Sequence, residues 1–263
     1  MRTNLSNFTM EYEDRGSGIP VILIHGYPLN KTLWDPQLED LSTSARVIAP
    51  DLRGHGGSDP VEGVYSMRSM AQDIKELIEK LKIEGQVILG GLSMGGYICF
   101  EFFRSYPHLL KGIILAATRA TADDTETKMN REVAAALALE KGSEAIANML
   151  LPKMLAPVSY KKKPEVVERA RKIMLSINPQ AIVGDLMGMK NREDSTPTLK
   201  DIDVPVLILH GGDDQIIPQN EIDLMKNEIK TAKLEIIPEA GHLLNIEQPD
   251  LFNSAVRKFI QSF

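Results

Sequence analysis

Residues 86–96 read QVILGGLSMGG and pass from an apolar run into a segment with helical character. The run Gln86–Leu89 is rich in branched aliphatic side chains, which favour a buried strand. Gly91-Leu92-Ser93-Met94-Gly95 fits the pattern G-x-S-x-G, in which a strand turns sharply into a helix. Glycine on both sides removes the Cβ atoms that would collide in so tight a turn. The stretch therefore predicts a strand–turn–helix unit with a strained, exposed serine at the turn.

The same alternation of short apolar runs and longer amphipathic runs extends along the chain. The short runs are apolar on both faces, which is typical of a parallel sheet covered by helices on both sides, and therefore of an α/β fold. Predicted strands lie at Ile19–Ile24, Arg46–Ala49, Gln86–Leu89, Gly112–Ala116, Val206–Leu209 and Lys233–Ile237. Predicted helices lie at Ser66–Leu81, Met94–Ser105, Gln219–Ile229 and Pro249–Ser262. An antiparallel edge strand is predicted around Phe8–Asp14.

From about Thr118 to Thr198 the chain contains no convincing strand. Helical signals are present instead, at Lys128–Leu139, at Ser143–Leu151 before a stop at Pro152, at Pro164, and at Asn178-Pro179. Proline in the first turn and asparagine before it are typical of helix starts. We predict an all-helical insertion between two strands of one sheet.

Composition excludes several classes of function. The 263 residues carry a net charge of −6, and an acidic surface disfavours a nucleic-acid partner. No apolar run approaches the roughly 18 residues that span a bilayer, and the first residues lack the apolar stretch of a signal peptide. Cys99 is the only cysteine, so no intramolecular disulfide is expected. We expect a cytoplasmic protein with no membrane partner, and the sequence leaves its oligomeric state open.

A serine nucleophile needs a base, and the base needs an acid that orients it. In sites built on this turn the chain order is Ser, then Asp or Glu, then His. His242 follows the last predicted strand and opens the last helical region, so order and loop position favour it as the base for Ser93. The acid is expected in the loop His210–Pro218, where Asp213 and Asp214 both remain candidates.

An oxyanion needs hydrogen-bond donors. One is expected from the backbone N–H of Met94, directly after Ser93, and a second from that of Tyr27 in the loop after Ile19–Ile24. We favour a packing role for His25 in that loop. Residues that could line a substrate pocket are His25, Leu29, Trp34, Met129, Met149 and Met154. The alternative is that the methionines pack inside the helical insertion and that Trp34 anchors its own helix.

Taken together, these segments resemble the α/β-hydrolase superfamily over nearly the full chain. The motifs that carry the resemblance are His25-Gly26-Tyr27-Pro28, Asp51–Ser58, Gly91–Gly95, Gly211–Pro218, and Gly241-His242 with Glu247 and Pro249. The resemblance implies that Asp214 is the acid and that His55 is structural. It also implies a helical cap inserted after the sixth strand. We therefore expect a core of residues 1–118 and 198–263 and a cap of residues 119–197.

Within the superfamily the pattern is similar to esterases, oxoadipate enol-lactonase-like enzymes and cofactor-free perhydrolases, with a supporting cue at Asn191–Pro197. Serine at position 93 argues against the dehalogenase and epoxide hydrolase branches, which use aspartate there. We expect a serine hydrolase that cleaves small carboxylic esters or lactones through an acyl-enzyme, with no metal and no organic cofactor. The open alternatives are perhydrolysis or carbon–carbon bond hydrolysis with the same triad, and a ligand-binding or sensor protein with little turnover.

Overall fold

The computed structural model describes all residues, 1–263, and contains eight strands and ten α-helices. The strands are β1 (Arg2–Asn4), β2 (Thr9–Arg15), β3 (Pro20–Ile24), β4 (Arg46–Pro50), β5 (Val87–Leu92), β6 (Leu110–Ala116), β7 (Val206–Gly211) and β8 (Ala232–Ile237). The helices are α1 (Asp35–Leu41), α2 (Met67–Lys80), α3 (Met94–Ser105), α4 (Thr125–Met154), α5 (Pro157–Lys162), α6 (Pro164–Leu175), α7 (Pro179–Lys190), α8 (Gln219–Glu228), α9 (Leu244–Glu247) and α10 (Pro249–Ile260). None of these helices is both long enough and apolar enough to cross a membrane.

The strands form one sheet in the order β1-β2-β4-β3-β5-β6-β7-β8. Strands β3 to β8 are parallel, and β1 and β2 are antiparallel to their neighbours. The prediction of a mostly parallel sheet is confirmed. The prediction of Phe8–Asp14 as the edge strand is wrong in its position, because β2 lies between β4 and β1. The edge strand β1 has three polar residues and therefore gives no apolar signal in the sequence.

Buried apolar side chains form two clusters, one on each face of the sheet. Ile22 and Ile24 belong to one cluster, whereas Val21 and Leu23 belong to the other. Successive side chains of a strand point to opposite faces, so a strand covered by helices on both sides must be apolar throughout. All six residues of β5 are buried for this reason.

Helices α4 to α7 lie between β6 and β7, within the segment predicted as a helical insertion. The two predicted helices at Lys128–Leu139 and Ser143–Leu151 are the halves of α4, which kinks at Gly142 with φ 74°. The predicted stop at Pro152 is wrong, because α4 continues to Met154. The starts of α6 and α7 at proline agree with the sequence. The boundary between a core and a cap stays a prediction.

Candidate active site

Ser93 lies between the last residue of β5 and the first residue of α3, with φ 55° and ψ −112°. A residue other than glycine at positive φ is strained by about 1–3 kcal/mol and persists only where its surroundings enforce it. The neighbouring glycines allow the close packing that holds Ser93 in this conformation. A Cβ on Gly91 would lie 2.2 Å from the carbonyl group of Gly95, and one on Gly95 would lie 2.4 Å from the Ile24 oxygen. The turn closes only because both positions lack side chains.

Residues at and just after the end of β6 form hydrogen bonds with this turn. The Ser93 N–H donates to the Ala116 carbonyl at 2.8 Å, and the Thr118 hydroxyl donates to the Ser93 carbonyl at 2.8 Å. A Cβ on Gly96 would meet the Thr118 hydroxyl at 2.4 Å, so the first turn of α3 can approach Thr118 only as glycine. Both backbone groups of Ser93 are therefore fixed, and its side chain is free to face outward.

Asp214 and His242 come together from the loops that follow β7 and β8. His242 Nδ1 lies 3.0 Å from Asp214 Oδ2, and the Asp214 side chain is fully buried. The other oxygen of Asp214 accepts from the backbone N–H groups of Ile216 and Ile217 at 2.8 and 3.1 Å. Asp213, the other carboxylate that the sequence left open, is exposed and contributes only its backbone, which donates to the Ala240 carbonyl.

The surroundings of Asp214 keep its carboxylate ionised. Burial acts to raise the pKa of Asp214, but the His242 imidazole and the two amide hydrogen bonds outweigh burial and hold this pKa below its ordinary value. A charged acceptor at Oδ2 places the His242 proton on Nδ1 and leaves Nε2 with a free lone pair. His210 Nδ1 is 3.9 Å from the same oxygen and makes no hydrogen bond, so His210 takes no part in the contact between His242 and Asp214.

Ser93 and His242 line one cavity of about 480 Å³. Asp214 does not line this cavity and is connected to it through its hydrogen bond with His242. No hydrogen bond joins Ser93 Oγ to His242 in the structure. Contacts between a nucleophile and its base are often long without substrate and tighten when substrate binds.

Two backbone donors lie beside Ser93. Met94 is the first residue of α3, so its N–H has no acceptor within the helix. Tyr27 lines the cavity in the loop after β3, and its N–H donates to no protein atom. The loop packs closely on the turn, because a Cβ on Gly26 would lie 2.9 Å from the Leu92 oxygen. Glycine is therefore needed at position 26 because a side chain there would collide with the turn.

The six predicted pocket residues divide into two that line the cavity and four that do not. Met149 and Met154 line it. Leu29 and Trp34 are fully buried in the apolar core and do not reach the cavity, and Met129 on α4 is 55% exposed. The prediction of those three is wrong, because large apolar side chains also fill the core and the turns of a helix also face solvent.

His25 is also absent from the cavity wall. It is fully buried, with Nδ1 2.9 Å from the Gly26 carbonyl and Nε2 accepting from the Leu52 N–H at 3.1 Å. Burial lowers the pKa of His25 well below its ordinary value, so the ring is neutral. His25 holds the loop in place, which is the packing role favoured from the sequence. His55 is equally buried and lies 2.9 Å from Asp185 of α7.

Glu247, a member of the last sequence motif, connects the His242 loop to the predicted cap. Its Oε2 accepts from the Gly241 N–H at 2.6 Å, next to His242. Its Oε1 accepts from the Ala156 N–H at 2.7 Å and from the Ser159 hydroxyl at 2.6 Å. Burial raises the pKa of Glu247, although these three donors act in the opposite direction.

Sequence reasoning missed the arginines of the cavity wall, Arg119 and Arg131. Arg119 follows β6, which lies directly beside β5 in the sheet. Because the carboxyl ends of adjacent parallel strands meet at one edge, this position could have been found from the strand order alone. The chain contains no cluster of three or more His, Cys, Asp or Glu side chains that could hold a metal ion.

Comparisons with known proteins agree with this fold. The family model described as alpha/beta hydrolase fold matches residues 19–249. A thermophilic esterase from Thermogutta terrifontis, solved with malate bound, is 38% identical with a TM-score of 0.98 over 100% of this chain and 98% of that chain. The AB hydrolase superfamily protein YisY of Bacillus subtilis is 31% identical over 97% of this chain and 96% of its own. The 3-oxoadipate enol-lactonase 2 of Acinetobacter baylyi is 27% identical over 89% and 85%.

Proposed function

This chain belongs to the α/β-hydrolase fold family, and on that premise we propose that it is a serine hydrolase of small carboxylic esters or lactones. The observation that carries the proposal is the strained Ser93 at the strand–helix turn, on the same cavity as an imidazole held by a buried carboxylate. Similarity to an esterase and to an enol-lactonase supports the choice of an acyl group as the substrate.

In the proposed reaction, Ser93 Oγ attacks the acyl carbonyl while His242 Nε2 accepts the hydroxyl proton. Asp214 keeps the imidazole in the tautomer that leaves Nε2 free and stabilises the imidazolium that forms. The N–H groups of Tyr27 and Met94 donate to the oxyanion, and each such donor contributes about 3–4 kcal/mol by analogy with a measured case. His242 then protonates the leaving alcohol, and water releases the acyl group by the same steps.

The predicted division of the chain gives each part a role in this proposal. The core, residues 1–118 and 198–263, carries Ser93, Asp214 and His242. The cap, residues 119–197, supplies cavity-lining side chains such as Met149 and Met154, which select the substrate. Methionine adapts its shape readily, and this suits a cavity that accepts a range of small acyl groups.

Covalent labelling combined with ester turnover tests the proposal. The purified protein is treated with a fluorophosphonate probe and assayed on butyrate and octanoate aryl esters, with and without hydrogen peroxide. We expect a single label that is lost in Ser93→Ala. Ser105→Ala, at the other end of α3, is the matched control and keeps both label and turnover. An unlabelled native protein, or undiminished label in Ser93→Ala, overturns the proposal. Consumption of the ester that requires peroxide indicates perhydrolysis instead.

A further inference from the structure

The cavity wall carries positive charge on a protein that is negative overall. The charged side chains that line the cavity are Arg119, Arg131 and Lys153, and no aspartate or glutamate lines it. The whole chain has a net charge of −6. A local excess of cations inside a cleft with apolar walls attracts anions more strongly than the same charges would on an open surface.

The two arginines of the wall share one carboxylate, Asp123, with a third arginine. Asp123 Oδ1 lies 2.7 Å from Arg119 Nη2 and 2.6 Å from Arg192 Nη1. Arg131 contacts the same carboxylate through Nε and Nη2. Three guanidinium groups therefore meet one fully buried carboxylate. Burial acts to raise its pKa, but Arg131 and Arg192 outweigh burial and lower the pKa to about 2.

The three arginines differ in how many donors remain unused. Arg192 makes the most contacts, because besides Asp123 it donates to the carbonyls of Met189 and Thr121 and stacks on the Tyr97 ring at 4.1 Å, although its buried Nε has no partner. Arg119 contacts only Asp123, and its buried Nε has no partner. A guanidinium has five donors, so most of those on Arg119 are unused.

One further carboxylate lies near Arg119. Glu221 acts on Arg119 electrostatically, but its Oε1 accepts from the Thr121 hydroxyl at 2.7 Å and no hydrogen bond joins it to the arginine. Arg131 Nη1 faces only the sulfur of Met189, a weak acceptor, at 3.5 Å. Both side chains are half-buried, and neither has protein oxygen partners for all of its guanidinium donors.

Arg119 also lies near the proposed nucleophile in space, although the two are far apart along the chain. It directly follows Thr118, whose hydroxyl donates to the Ser93 carbonyl. An acyl group bound to Ser93 can therefore extend toward Arg119 without leaving the cavity that both residues line.

We infer that the cavity binds the free carboxylate of its substrate through Arg119, with Arg131 beside it. The inference rests on the proposed function and deepens it: the substrates are esters or lactones that carry a second, ionised carboxyl group. A planar guanidinium matches a carboxylate with two parallel hydrogen bonds, which makes arginine suited to this role. The acidic surface repels such substrates weakly, and the cavity cations retain those that enter.

A pair of esters of nearly equal shape tests the inference. Monoethyl succinate carries a carboxylate where ethyl 4-methylpentanoate carries an isopropyl group, and proton release measures the hydrolysis of both. We expect Arg119→Gln to lower kcat/KM for the succinate by about tenfold to a hundredfold, mainly through KM, and to leave the neutral ester unchanged. Arg119→Lys keeps the charge without the planar guanidinium. We expect its kcat/KM for the succinate to lie between the values of the unsubstituted protein and of Arg119→Gln.

Arg171→Gln is the matched control, since Arg171 lies on α6, pairs with exposed Glu144 and is absent from the cavity wall. Equal effects of Arg119→Gln on the two esters, or no effect on either, overturn the inference and leave the proposed function standing. If neither ester is hydrolysed and Ser93 takes no label, the proposed function falls. Calorimetric titration with succinate then decides the inference separately: binding that Arg119→Gln weakens supports it, and absence of binding overturns it.

Discussion

The loops at the carboxyl ends of β3, β5, β7 and β8 differ from the helices of the predicted cap in how they hold the residues at or beside the cavity. Ser93 is fixed by its own backbone, through two hydrogen bonds and flanking glycines. Asp214 is fixed by two amide donors and by His242. The cap presents long, unbranched side chains instead, such as Met149 and Lys153. Residues that must keep a fixed geometry are thus held by backbone hydrogen bonds. Residues that only fill the cavity or add charge to it are presented on flexible side chains.

The largest expected effect is at Asp214. Asp214→Asn removes the charge that orients the imidazole, and we expect kcat to fall roughly 10³–10⁴-fold on every ester, because the chemistry itself is affected. Asp213→Asn is the matched control, and its exposed side chain predicts a change below about twofold. Steady-state rates on three esters check both variants. A larger loss in Asp213→Asn would show that the other carboxylate orients the base.

Activity is expected to fall in acid, without any contribution from protonation of Asp214. The pKa of Asp214 lies below its ordinary value, despite burial, because of His242 and the amide hydrogen bonds. Asp214 therefore stays ionised in mild acid. We expect kcat/KM to fall in acid by up to about tenfold for each pH unit, since only a neutral imidazole accepts the Ser93 proton. A rate profile measured beside circular dichroism checks this. A flat profile while the fold persists would contradict the role of His242.

A cap substitution should change selectivity and leave the chemistry intact. Met149→Trp fills part of the cavity, so we expect kcat/KM for an octanoate ester to fall roughly tenfold relative to an acetate ester. Met129→Trp is the control on the same helix, because Met129 is exposed and absent from the cavity wall. Equal losses on both esters in Met149→Trp would mean that the cap takes part in the chemistry and would end the contrast between the two regions.

The smallest expected effect concerns stability. Ser93 holds φ 55°, which glycine adopts without strain and alanine does not. We expect Ser93→Gly to exceed Ser93→Ala in free energy of unfolding by about 1 kcal/mol, after the entropy that glycine loses on folding. Both variants are inactive, so chemical denaturation is the measurement. Equal stabilities would show that the turn is not strained.

The sequence predicted those parts of the fold that a repeating pattern specifies. Strands β3 to β7 are largely apolar on both faces and β8 keeps a short aliphatic run, so each was found to within a few residues. The strand β1 and the helix α5 were not predicted from the sequence. The strand is short and polar and pairs through its backbone, and the helix spans only six residues. Two turns of helix are too short for an apolar stripe to repeat.

The residues of the candidate site were also predicted only in part. Ser93, His242 and Tyr27 were predicted because glycine motifs mark the turns on which they lie. The cavity wall was predicted poorly: Leu29 and Trp34 face the core, and Arg119 was not considered. Whether a large side chain points to a cavity or to the core depends on packing between segments that lie far apart along the chain, and no local pattern records it.

Glu247 has a consequence for recombining members of this family. One carboxylate is the shared anchor of the His242 loop and of the segment around Ala156 and Ser159. A chimera that replaces residues 119–197 but lacks matching donors at those two positions leaves a buried carboxylate with one of its three donors. Loss of a partner from a buried carboxylate is costly, and the loop that carries the imidazole would relax with it. The two segments must therefore be exchanged together.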